Sequence, residues 1–507
     1  MAHHWNYDRA AAHIKRKIKD VEAVEIVDYT RDRSLENIPT NKAYRVKAAH
    51  LYADILNLDD MLAVTNVEGE TCHRRALRFL NLHYRAADRV LNQCDIKRVD
   101  FHNQRLHGLV AKPYGDESEA DRVHRAVAAA KLIIDVLAET GDDDEQIPNA
   151  IVRVGIDTGE ALAVNNGRNG GREPLFLGEP ANMAAKFAAG AAKGIYLTSA
   201  ARAAIGLKAV DNPKSTALTA AEIEASQDAA ELPCDRDAIV KAWRADLDKN
   251  PIGAFEFSGH TPPYSTLDIG ALTPKNSRRQ DALSIYADLD GFTKYVRDHI
   301  EDEPEAVVKV LHVLRAEMDR VLTTEFEGRK IRFIGDCVHG LICEGTAQTT
   351  DGEATVSNAV LCAGALRSSF DLALEKLGDE GLDTEGLGLQ IGFEYGPMTV
   401  TRLGLQGDRV RCSVSRGVRA SEAEQLRCKA NETAMGPVAY STGSQAVRDL
   451  FGTTRKVADL DYNTAVEALS EGDDKTAKAA RKVAFAPAAP AVARAAETVV
   501  KPYARFI

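Results

Sequence analysis

The sequence predicts an α+β protein built from two tandem copies of one domain, each a mostly antiparallel sheet with helices on one face. The first observation behind this is an internal repeat. Tyr52-Ala53-Asp54 recurs as Tyr286-Ala287-Asp288 at an offset of 234. VDFHNQRLHGLV (Val99–Val110) recurs at an offset of 232 as IRFIGDCVHGLI (Ile331–Ile342), with Phe, His, Gly and Leu in register. The glycine pair Gly155/Gly159 recurs at an offset of 237 as Gly392/Gly396. Three blocks at one nearly constant offset mark a duplicated domain. The second observation is local: short alternating runs such as LSIYADL read as half-buried strands between longer helical stretches. The third is length, since 507 residues exceed what one core holds.

In chain order, residues 1–44 form a lead-in, with a helix expected from Arg9 to Ile26 and then an extended piece ending in SLENIPTN. Residues 45–205 are the first copy and 280–455 the second. Each copy reads strand, helices, strand–turn–strand, helix, strand and helix. The segment 206–279 between them is a partly helical linker, with AAEIEASQDAAEL and DAIVKAWRADL as its helical pieces and a loop at His260-Thr-Pro-Pro263. The tail 456–507 turns Ala-rich from Lys475, is broken by Pro487 and Pro490, and is expected to pack on the body. Gly155-Ile-Asp-Thr-Gly159 is expected to be a turn of the sheet, where Gly permits positive φ.

Composition narrows the function. A content of 45% hydrophobic and 27% charged residues is ordinary for a globular chain. The net charge of −11 supplies no basic field, so no nucleic-acid or anionic-membrane binding is expected. A local basic pocket for one triphosphate stays allowed. No apolar run reaches a membrane span and the start, MAHHWNYDRAAAHIKRK, has no secretory h-region, which predicts a cytoplasmic location. The eight cysteines have no CxxC or Cys/His spacing for zinc and read as reduced thiols.

The chemistry concentrates in LSIYADLDGFT (Leu283–Thr293) and IRFIGD (Ile331–Asp336). Each reads as a strand ending at a turn, and each offers one carboxylate, Asp288 and Asp336, 48 residues apart. If the strands pair, both acids reach one sheet edge, where a divalent cation finds oxygen ligands. Gly291-Phe292-Thr293 then opens a helix, whose free N–H groups suit a phosphate. Two acids beside a phosphate cradle point to metal-assisted phosphoryl chemistry on a nucleotide.

YADLDGFT, FIGD and IGFEYGP resemble the catalytic domain of class III nucleotidyl cyclases. With ENIPTNKAYRV before the first strand and RVRCSVSRGVRASEAEQ late, the chain is most similar to the pyrimidine nucleotide cyclases of bacterial Pycsar antiphage systems. The resemblance covers about two-thirds of the chain, both copies included. It implies ferredoxin-like sandwich domains paired head to tail as an intrachain pseudodimer, with active sites at their interface. It also implies two Mn²⁺ or Mg²⁺ ions per site, held by two Asp residues of one domain. The other domain supplies base-reading groups and an Asn–Arg pair for ribose and the transferring phosphate. The reaction the resemblance implies is attack of the 3′-hydroxyl on its own α-phosphate, and the implied product is a second messenger for a separate effector protein during phage infection.

Carried over position by position, the second copy has both metal acids, Asp288 and Asp336. The first keeps Asp54 but has Gln104 in place of the second acid. In the late block the reverse holds. The first copy has Asn182 at the Asn position and Lys186 at the Arg position, four residues on and so on one helix face; the second has Arg419 and Ala423. The resemblance therefore implies one composite site and one vestigial site, the latter holding Asp54, Gln104 and Arg332. Four residues before the second acid, where adenylyl cyclases carry Lys, the first copy has Asp100 and the second Arg332. Asp100 is expected to accept from uracil N3–H or cytosine N4–H₂. Leu175, at a position often Asp in adenylyl cyclases, is expected to make the pocket smaller and more apolar, and Tyr286 to offer its hydroxyl to the ring. The bland readings are a cross-interface ion pair for Asp100 and Arg332 and a core position for Tyr286. The expected activity is cUMP formation from UTP, with cCMP from CTP next. The alternatives are an adenylyl or guanylyl cyclase, an inactive nucleotide sensor, and, for the assembly, a homodimer pairing copies across chains.

Overall fold

The computed structural model describes residues 3–143, 145–166 and 173–484. The chain opens with helix α1 (Tyr7–Asp20). The principal elements of the first copy are β1 (Lys42–Ile55), α2 (Glu70–Gln93), β2 (Lys97–His102), β3 (Arg105–Val110), α3 (Glu119–Leu137), β4 (Val152–Val164), β5 (Leu175–Leu177), α4 (Glu179–Ala188) and β6 (Gly194–Leu197). After α5 (Arg236–Lys249) the order repeats as β7 (Ser277–Asp290), α6 (Phe292–His299), α7 (Pro304–Arg320), β8 (Arg329–Ile334), β9 (Cys337–Ile342), α8 (Gly352–Asp379), β10 (Gly388–Leu403), β11 (Val410–Val414), α9 (Arg416–Leu426) and β12 (Glu432–Met435).

The first sheet runs β2-β3-β1-β4-β5, with β6 parallel to β4. The second runs β8-β9-β7-β10-β12, with β11 antiparallel on β10. This is the tandem α+β sandwich the repeat predicts. The reason is alternation. Val152, Val154 and Ile156 turn one face of β4 toward α3 in a common apolar core, while Gly155 turns the other face toward α4.

Gly155 marks a difference from the expected turn. The backbone runs through it as continuous strand, and a Cβ there would collide with the Ala184 carbonyl oxygen of α4. At its counterpart Gly392, the same imagined atom would collide with the Gln425 nitrogen of α9. The repeated glycine is a landing place for a helix, and it sets the height of α4 and α9 over their strands. Only Gly159, with φ +147°, fits the conformational reading. The N-terminal helix also differs. It ends at Asp20, and Glu25–Asp28 forms a strand parallel to β1, as the β-branched run in VEAVEIV favours.

The two copies exchange arms. Leu403, Val410, Cys412 and Val414 of the β10–β11 arm are buried in the core built around α2. Leu162, Val164 and Leu177 of the β4–β5 arm, with Ala10 and Ile14 of α1, are buried in the core of the second copy. The segment between copies covers both. Trp243 of α5 is buried against α2, its indole N–H 3.2 Å from the Leu82 carbonyl, and Tyr264, Leu267, Ile269 and Leu272 lie over the second sheet. No described helix is long and apolar enough to cross a membrane.

Gly155→Ala should push α4 off its strand. The expected outcome is a loss of about 1–3 kcal/mol in urea unfolding, as for overpacking elsewhere, with turnover falling alongside.

Candidate active site

β7 and β9 pair with Ala287 opposite Val338. That register brings Asp288, near the end of β7, and Asp336, in the turn before β9, to one end of two adjacent strands. Gly335 makes the turn at φ +62°. Gly291, at φ +77° and with the Gly386 oxygen pressed where a Cβ would stand, turns the chain from β7 into α6. Thr293 is exposed at that helix start. Phe292 is 3% exposed within the core, so only its backbone N–H can serve a ligand there.

Both acids are half-buried. Burial and the charges of Asp336 and Asp290 push the Asp288 carboxyl well above the usual carboxylate range; burial likewise raises Asp336. Asp290 stands two residues on, hence on the same strand face as Asp288. Gln425 of α9 donates to Asp288 Oδ2 at 3.2 Å, and with the neighbouring Cys337 side chain it favours the charged form. No salt bridge reaches Asp288 or Asp336 among the described residues, although Arg315 of α7 acts on Asp336 by its charge. Two neighbouring carboxylates without a counter-ion fit a divalent cation whose remaining ligands come from phosphate oxygens and water. No cluster of three or more His, Cys, Asp or Glu converges in ligand geometry among the described residues.

α4 packs against α6 across the interface, with Asn182 half-buried and Lys186 exposed. Leu175, paired with Val164, packs against the core of the second copy.

Two expectations need correction. Arg332 does not face a separate site: its guanidinium donates to Asp100 Oδ1 at 2.6 Å, to the Phe101 carbonyl at 2.7 Å and to the Arg411 carbonyl at 2.8 Å. Burial opposes its charge, yet Asp100 holds its pKa above the ordinary value. The reason is geometric: β2 and β8 meet near the pseudo-twofold axis, so the same position in each copy meets its counterpart. Asp100 therefore shares Oδ1 with Arg332, and no described residue bonds to its Oδ2. Tyr286 is 1% exposed, stacked 4.3 Å from His339 in the cluster covered by Tyr264–Leu272, which is the core position, and its buried hydroxyl has no partner among the described residues. Its counterpart Tyr52 is half-buried, stacks 4.1 Å from His107 and feels the charge of Asp100. The repeat pairs Tyr52 with Tyr286 and could have pointed to it.

At the position related by the pseudo-twofold axis the arrangement differs. Asp54 Oδ2 accepts from Arg105 at 3.0 Å, the residue after Gln104. Arg419 of α9 forms an ion pair with Asp59 at 2.5 Å, where the second copy has Thr293. Protein cations thus occupy both places.

The paired sandwiches, with two acids at one end of adjacent strands, are those of a cyclase. Residues 275–424 match the adenylate and guanylate cyclase catalytic domain. The chain is 60% identical over 508 residues to a uridylate cyclase of Pseudomonas aeruginosa, covering 100% of this chain and 99% of that protein. It is 40% identical over 434 residues to a uridylate cyclase of a Rhizobium species, 82% of each chain. A crystal structure described as a class III adenylyl cyclase-like ATP-binding protein from Pseudomonas aeruginosa superposes with a TM-score of 0.91 at 61% identity, over 92% of this chain and 100% of that one. The chain belongs to the class III nucleotidyl cyclases and is a nucleotidyl cyclase.

Crowded acids cost stability when ionised. A carboxyl raised in the folded state favours folding at low pH and loses that contribution as pH rises through the raised value. In chelator at about pH 7.5, Asp336→Asn should be more stable than wild type by on the order of 1 kcal/mol. The gap should close toward about pH 4, and Mn²⁺ should stabilise wild type but not the variant in thermal unfolding.

Proposed function

We propose that this chain converts a pyrimidine nucleoside triphosphate, UTP ahead of CTP, into its 3′,5′-cyclic monophosphate and pyrophosphate at one composite site. The observation that carries the reading is the asymmetry of the two acid positions. Asp288 and Asp336 have no protein cation bonded to them among the described residues, whereas Asp54 is bonded to Arg105 at 3.0 Å. The names of the two uridylate cyclase relatives support the choice of base.

In this reading Asp288 and Asp336 hold two Mn²⁺ or Mg²⁺ ions, which lower the pKa of the 3′-hydroxyl and neutralise phosphate charge when bound. Gln425 keeps Asp288 oriented. The N–H groups of Phe292 and Thr293, at the positive end of α6, hold the terminal phosphates. Lys186 supplies a point charge to the transferring phosphate, without the bidentate fork an arginine would bring. Asn182, one turn earlier, holds the ribose. The new O3′–Pα bond forms as the bond to the β-phosphate oxygen breaks, pyrophosphate leaves, and the hydroxyl proton passes to solvent.

Asp100 Oδ2 accepts a hydrogen bond from uracil N3–H or cytosine N4–H₂, with Oδ1 pinned by Arg332. Tyr52 and Leu175 wall the base pocket in place of Tyr286. The cyclic nucleotide then acts as a second messenger for a separate effector in antiphage defence, as in the Pycsar systems the chain resembles.

Purified protein given each of the four NTPs with Mn²⁺ should form cUMP as main product by mass spectrometry. A purine product would refute the pocket assignment, and no product the composite site. Asp336→Asn should lower kcat at least about a thousandfold, while Asp54→Asn should stay within a few-fold; the reverse pattern contradicts the division of labour.

A further inference from the structure

We propose that a cavity between α1 and α7, separate from the catalytic acids, is a binding site for a phosphate-bearing small molecule. It has a volume of about 800 Å³, and Asp288, Asp336 and the Gly291–Thr293 turn are not among the residues that line it. Arg16 and Lys17 of α1, His312 and Arg315 of α7, Phe333 of β8 and Asn165 beyond β4 form its wall.

The charges there do not balance within the described residues. The two carboxylates at the wall are already engaged: Asp20 pairs with Lys17 at 2.7 Å, and Asp319 with Lys330. Arg320, also at the wall, is committed to Glu317 and Glu325 at 2.6 Å each. That leaves Arg315 and Arg16, the latter forming no ion pair among the described residues. Arg315 is 4% exposed, lies 3.8 Å over the Phe333 ring, and donates from Nη2 to Asn166 Oδ1 at 2.7 Å. Its Nε–H has no partner among the described residues, nor has the buried Nε2 of His312.

A buried guanidinium that no described carboxylate bonds directly is costly unless an anion arrives. Burial pulls the Arg315 pKa down to about 9 against the charges of Asp336 and Asp319, neither of which bonds to it, so the side chain stays charged and has room for a directly bonded anion. A buried fork, an arginine opposite and an apolar floor of Phe333, Leu311 and Val308 suit an anion with a compact apolar body, and phosphate meets a guanidinium fork with two oxygens at once. The wall draws on α1, the second copy and the end of β4, so an occupant would tie all three together.

The full chain in EDTA can be titrated calorimetrically with inorganic tripolyphosphate. Wild type and Asp336→Asn should each bind one equivalent, and Arg16→Glu should weaken binding at least about tenfold, the loss of one charge-assisted bond, while keeping nucleotide turnover. His312→Gln serves as the second variant and should weaken it in the same direction. No binding by wild type, undiminished binding by both cavity variants, or loss of binding in Asp336→Asn would each overturn the proposal.

Discussion

Everything at the candidate site depends on how the two copies are held, and a buried guanidinium sits at that seam. Arg332 spends its donors on Asp100, the Phe101 carbonyl and the Arg411 carbonyl, joining β2 of one copy to β8 and β11 of the other. A charge so placed is unforgiving. Leaving it without Asp100 would cost about 3–5 kcal/mol, because no water replaces the lost partner. Around it, Arg98 grips Asp408 at 2.6 Å, and Arg416 reaches the Leu62, Thr65 and Asn66 carbonyls. The exchanged arms bury apolar side chains of each copy in the other's core. The seam is therefore held by many bonds, and it sets α4 against α6.

Duplication makes two such meeting places, and chemistry separates them. At one, Asp288 and Asp336 crowd together with no bonded protein cation among the described residues to offset them, a strain that an external cation relieves. At the other, Arg105 and Arg419 neutralise Asp54 and Asp59 from within. A guanidinium already bonded to a carboxylate competes with a metal for the same oxygens. The first copy has not become idle. It keeps the half that carries Asn182, Lys186, Asp100 and Tyr52, which the proposed reaction needs beside the metal acids.

Much of this was legible in the chain. The repeat announces the tandem fold, because each block keeps its apolar alternation and its glycines. The acids of the second copy and the Asn182/Lys186 spacing mark the two halves. What was not legible depended on tertiary cover. Tyr52 and Tyr286 occupy the same place on the same strand, and nothing local says that Tyr264–Leu272 closes over one and leaves the other half-buried. Arg105 is a charge next to Gln104 until β1 and β3 pair and bring it to Asp54. Gly155 looks like a turn glycine, and only the height of α4 above the strand shows its use.

The central claim is that the chain builds one nucleotide site from two unequal halves. Equilibrium titration of the full chain with a non-hydrolysable UTP analogue and Mn²⁺ counts those sites directly. The account predicts one equivalent per chain, lost in Asp336→Asn and retained in Asp54→Asn. Two equivalents, or one that survives Asp336→Asn and disappears with Asp54→Asn, would contradict it.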